Sequence, residues 1–155
     1  MFGERFIETR GAPFEVDGQL VHGIYRRQVL PGESVAIVWV NARKAPLQGI
    51  CLKLDKGKLG VAGQRIRDLV MWRDTAPART VLTCECRAKT VLKVWNCWRD
   101  SSGIMQAWIG NGGMLIEPSE KRDERVRIRC NSRPKVTFED SIFELRFGEY
   151  ARADR

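Results

Sequence analysis

Turn-forming clusters recur along the whole chain and constrain its fold more than any other feature: Gly11-Ala12-Pro13, Asp17-Gly18, Leu30-Pro31-Gly32, Lys56-Gly57, Ser102-Gly103, Asn111-Gly112-Gly113 and Arg133-Pro134. Glycine and asparagine accept positive φ and proline fixes φ, so each cluster ends whatever regular element precedes it. The segments left between them are about five to ten residues long, a length that suits strands. Residues 34–41, 50–54, 80–87, 90–99, 104–109, 114–117, 125–130 and 141–147 alternate apolar with polar side chains or are rich in β-branched and aromatic ones. The pattern predicts an all-β, mainly antiparallel fold, a β-sandwich or jelly-roll-like single domain over 1–155. Only 64–73 departs from it. There Ile66, Leu69, Val70 and Arg73 fit a helical spacing while 69–72 also suits a buried strand, so at most one short helix is expected. The ends, 1–4 and 151–155, are expected to fray.

A chain of 155 residues with 43% hydrophobic and 30% charged residues can build a core without a metal or disulfide. Its longest unbroken apolar run, 35–40, is far too short for a helix that crosses a membrane. Acidic residues stand at the start, where a secretion signal would be basic and then apolar. The five cysteines are an odd number, which suits reduced thiols in the cytoplasm. Cys84-Glu85-Cys86 and the lone His22 do not make a zinc pattern, and no metal or cofactor is expected. Nucleophile elbows, phosphate-binding loops before helices and dinucleotide fingerprints are missing, so no catalytic residue is assigned. Asp68 and Asp74 flank Trp72 and suit a sugar contact, although an aspartate before Thr75-Ala76-Pro77 more often caps a turn.

Two constellations carry binding chemistry. If Ser101-Ser102 forms a tight hairpin loop, Arg99 pairs with Ile104, Cys97 with Gln106 and Trp95 with Trp108, and Asn111-Gly112-Gly113 turns the chain again into a three-stranded meander. Leu92, Val94, Asn96, Trp98, Met105, Ala107 and Ile109 then share an apolar face. The opposite face collects Lys93, Trp95, Arg99, Gln106 and Trp108, a candidate ligand surface in which the rings stack and the polar groups donate hydrogen bonds. A covering element would instead make the tryptophans core, and 64–73 or Phe2, Phe6 and Phe14 could supply that cover. The second constellation is an outward ladder of Arg125, Arg127 and Arg129 in a chain of net charge +8, which could follow a phosphate backbone. Its default is cross-strand pairing with Glu144.

The leading expectation is therefore a non-catalytic binding module for a carbohydrate or another ring-containing polar ligand on the Trp95/Trp108 face. The alternative is a nucleic-acid or polyanion binder using the arginines. A third reading is an assembly subunit that meets a partner protein or a second copy of itself through exposed aromatics.

Overall fold

A computed structural model of the chain describes residues 1–118 and 124–152. It begins with a short helix, α1 (Phe2–Thr9), which ends where Arg10 adopts the left-handed conformation and the Gly11 N–H donates to the Phe6 carbonyl at 2.8 Å. Strands β1 (Phe14–Val16) and β2 (Gln19–Val21) form a hairpin over Asp17-Gly18, both at the positive φ that such a two-residue loop requires. The remaining strands are β3 (Tyr25–Val29), β4 (Ser34–Ala42), β5 (Leu47–Leu54), β6 (Lys58–Val61), β7 (Gln64–Ile66), β8 (Asp68–Trp72), β9 (Arg79–Glu85), β10 (Thr90–Arg99), β11 (Met105–Gln106), β12 (Gly113–Pro118), β13 (Arg125–Asn131) and β14 (Ser141–Phe147). A one-turn helix, α2 (Glu149–Arg152), follows. No helix among the described residues is long and apolar enough to cross a membrane.

The architecture is an antiparallel sandwich. One sheet runs β12-β13-β14-β4-β9-β6-β7, and the other runs β10-β5-β8, with β3 and β11 sharing the far edge of β10. The alternation in sequence sets which side chains enter the core between them. Val35, Ile37 and Trp39 of β4 face inward beside Leu145 and Phe143 of β14, and Ile50, Leu52 and Leu54 of β5 meet Leu92 and Val94 of β10. Each fully buried side chain of this kind contributes about 1.5–3 kcal/mol. One end of the core is polar. There Asp140, fully buried, accepts the backbone N–H groups of Ser132 (2.8 Å) and Arg133 (3.1 Å) and the Arg133 guanidinium at 2.7 Å.

A satellite cluster of Phe6, Val21 and Phe138, joined by Phe2, Phe14 and Trp108, binds α1 and the β1–β2 hairpin to the sandwich. Residues 2–9 are therefore packed on the sandwich as a helix. Gly3 makes this docking feasible, because any Cβ there would collide with the Trp108–Ile109 backbone, and its N–H donates to the Gly110 carbonyl at 2.9 Å. Residues 151 and 152 close α2, with Ala151 buried, and 153–155 lie outside the described residues. Segment 64–73 is not a helix. Its helix-like spacing arises because the chain leaves one sheet after Ile66 and joins the other at Asp68, so two strands of opposite allegiance sit end to end.

Candidate anion-binding cleft

The aromatic face expected from sequence is not assembled, and the cause is one residue of register. Asp100, not the serine pair, organises the turn after β10. Its Oδ1 accepts the Ser102 hydroxyl (2.6 Å), the Ser102 N–H (2.9 Å) and the Ile104 N–H (3.0 Å), while Oδ2 accepts the Gln106 amide at 2.9 Å. These bonds, that from the Ser102 hydroxyl foremost, hold the Asp100 carboxyl down at about 2. The resulting loop, 100–104, pairs Arg99 with Met105 and Trp98 with Gln106. A one-residue shift moves every following side chain to the other face.

Trp108 then lies beyond the strand at φ 56°. Its indole N–H donates to the Gly23 carbonyl at 2.9 Å and its ring packs against Phe6 in the satellite cluster. The chain next crosses to the seven-stranded sheet as β12, so 90–117 is not a meander. Of the expected ligand set, Lys93, Trp95 and Arg99 remain on the outward face of β10, with Gln106 engaged by Asp100 and Trp108 elsewhere. Lys93 is already paired with Asp55 at 2.8 Å, and the Arg99 guanidinium lies 4.3 Å over the ring of Trp72. Trp72 comes from the ambiguous segment. A Cβ on Gly49 would stand 2.7 Å from the Trp72 ring and 2.8 Å from the Cys97 sulfur, so the glycine lets the indole lie against the sheet.

The arginine ladder is held within its own sheet. Glu144, only 6% exposed, receives Arg127 at 2.7 Å, Arg146 at 3.0 Å and Arg125 at 3.4 Å. Burial alone would raise the Glu144 carboxyl, but the bonds and charges of Arg127 and Arg146 outweigh it and hold it below the usual range. Arg129 is bound to Glu117. The default expectation of cross-strand pairing therefore describes these side chains. His22 is half-buried and bridged through its backbone to Met114, and burial lowers its pKa.

The uncommitted charge gathers elsewhere. The β3–β4, β5–β6, β7–β8 and β9–β10 connections each pass from one sheet to the other, and residues of all four wall a cleft of ≈ 840 Å³. Its cations are Lys56, Lys58, Arg65, Arg67, Arg87 and Lys89, and its one carboxylate is Glu85. The backbone fixes these turns firmly. The Gly32 N–H donates to the Cys84 carbonyl at 2.8 Å, and the Lys56 N–H donates to the Thr90 hydroxyl at 3.1 Å. Gly57, at φ 113°, lies so close to the Glu85 carbonyl that a Cβ would come within 2.5 Å of it.

Arg65 Nε reaches Glu85 Oε1 at 3.2 Å. The carboxylate extends over Gly60, where a Cβ would meet Oε2 at 2.5 Å. Lys56, Lys58, Arg67, Arg87 and Lys89 are all exposed, and none forms an ion pair among the described residues. Like charges concentrated in a concavity raise the local positive potential and favour an anion there. Cys84, in the wall, is pushed up to about 12 by burial first and then by Glu33 and Cys86, so it remains a neutral thiol. No group of His, Cys, Asp and Glu suited to a metal ion occurs among the described residues.

Sequence reasoning missed this site because its cations come from three separate stretches. Lys56-Gly57-Lys58 and Arg87-Ala88-Lys89, paired cations at turns, were its only local signals. Comparison of the chain with protein-family models, with curated proteins and with solved structures gave no match.

Proposed function

We propose that this chain is a non-catalytic binding module for a compact polyanion, a ligand bearing several phosphate or sulfate groups, held in the cleft between the inter-sheet turns. The observation that carries the reading is the convergence of five exposed cations without ion-pair partners among the described residues on one concave surface. Ammonium and guanidinium groups donate charge-assisted hydrogen bonds to phosphate oxygens, about twice as strong as neutral ones. The ≈ 840 Å³ volume falls in the range of small-ligand sites. No aromatic side chain lines the cleft, so the reading rests on charge rather than on base stacking. A compact ligand is favoured over a nucleic-acid duplex because the cations line one concavity instead of following a single strand.

Calorimetric titration with inorganic tripolyphosphate tests this. Binding is expected at one site per chain, weakening roughly tenfold or more between low and moderate salt. Combining Lys58→Glu with Arg87→Glu is expected to abolish it while leaving the near-UV circular dichroism unchanged. Unaltered affinity in that double variant, or no binding by the parent protein, would overturn the proposal.

A second reading keeps the carbohydrate-class ligand on the outward face of the five-stranded sheet, where half-buried Trp72 accompanies Trp95. What weighs against it is that Lys93 and Arg99 are already engaged by Asp55 and Trp72.

A further inference from the structure

The basic cleft does not end at Arg65 and Glu85. The same two residues border a second, shallower depression of ≈ 470 Å³ on the outer surface of β6, β7 and β9, walled by Gly60, Val61, Gly63, Val81 and Thr83. Its chemistry differs from that of the cleft. Gly60 supplies a floor without a side chain, paired to Thr83 on one side and Arg65 on the other. Ala62 and Gly63 turn at positive φ, 49° and 78°. Val81 offers an apolar surface that is 41% exposed on a strand otherwise committed to the sheet. A cationic cleft thus adjoins an uncharged shelf, with a carboxylate at their boundary.

We infer that the polyanion is a nucleoside polyphosphate: its phosphates lie among Lys56, Lys58, Arg67, Arg87 and Lys89, its ribose meets Glu85, and its base rests on the Gly60–Val81 shelf. This inference rests on the anion-binding reading above and adds the uncharged half of the ligand. A carboxylate is the natural acceptor for ribose hydroxyls, which each have a proton to donate. Glu85 Oε1 is held by Arg65, and Oε2 extends over Gly60 at the edge of the shelf. Within a cluster of cations a carboxylate only weakens phosphate binding, so its presence there is accounted for by a part of the ligand that is not phosphate. The planar Arg65 guanidinium, 64% exposed, provides a surface on which a base can stack.

The experiment compares ATP, 2′-deoxy-ATP and inorganic tripolyphosphate, titrated without divalent cations into the parent protein and into Glu85→Gln and Val81→Glu. The nucleotide and the tripolyphosphate carry similar negative charge, so any added affinity belongs to the nucleoside. ATP is expected to bind roughly tenfold or more tightly than tripolyphosphate, because a hydrogen bond to a charged group and the contact area of the base both add to the phosphate contacts. Deoxy-ATP should fall between them. Glu85→Gln should close the gap between ATP and its deoxy form, and Val81→Glu, at an exposed position, should remove the advantage of ATP over tripolyphosphate. Tripolyphosphate binding as well as ATP would overturn the nucleoside inference alone. Failure of both ligands to bind would overturn the anion-binding reading with it.

Discussion

Trp108→Ala separates the two registers of the β10–β11 hairpin by their effect on stability. In the register read from the serine pair, Trp108 stands on a solvent-facing ligand surface and its truncation leaves the fold intact. In the structure it is half-buried against Phe6, with its N–H bound to the Gly23 carbonyl at 2.9 Å. Truncating a fully buried aromatic costs about 3–5 kcal/mol, so roughly 2–3 applies to this partly covered ring. Loss of the hydrogen bond adds about 1 kcal/mol. The sum, about 3–4 kcal/mol, corresponds to a fall in melting temperature of roughly 6–15 °C for a chain of this size.

Two companion variants divide that sum. Trp108→Phe keeps most of the ring and should lose mainly the hydrogen bond, about 1 kcal/mol. Trp108→Gly relieves the strain of φ 56° and should be about 1 kcal/mol less damaging than alanine despite its smaller side chain. Urea unfolding followed by far-UV circular dichroism, with a common slope for all variants, measures each difference. A melting temperature lowered by less than about 3 °C in Trp108→Ala would refute the burial argument, and a glycine variant no better than alanine would refute the backbone argument.

Two further outcomes are expected. Asp140 has its carboxyl held below the usual range: burial would raise it, but the Ser132 and Arg133 N–H groups and the Arg133 guanidinium prevail. Because the folded value lies below the unfolded one, near 3.9, this stabilisation is complete above that pH and is lost as pH falls through the folded value. Asp140→Asn should cost about 2 kcal/mol near neutrality and flatten the acid limb, and urea midpoints for the two proteins that fall in parallel from pH 7 to pH 2 would contradict this. Cys86 is half-exposed among the cleft cations while the other four thiols are buried. It should react with a dianionic aromatic disulfide several-fold faster than with a neutral one, and added salt should erase the difference. Equal rates at low salt would count against the positive potential.

The sandwich was legible because turn chemistry and alternation are local properties, and β10, β13 and β14 lie where their residues indicate. What was not legible depended on partners far away in sequence. The apolar residues of 64–73 mimic a helical stripe because Ile66 and Leu69 belong to strands of different sheets. Ser101-Ser102 resembles a two-residue loop, yet Asp100 reaches four donors and lengthens it. Phe2 and Phe6 pack with Val21 and Phe138, a contact no window of sequence reveals. The arginine ladder was the conspicuous basic feature, but Glu144 and Glu117 engage it, while the uncommitted cations sit singly or in pairs at three of the four turns that wall the cleft.

Those four turns have a mechanical consequence. Each is a stitch between the two halves of the sandwich, so an occupant grasped by all of them is gripped by both halves at once. The halves cannot part at that pole without releasing it. Occupancy is then felt far from the grip, as slower amide exchange along strands in either half that touch the occupant nowhere.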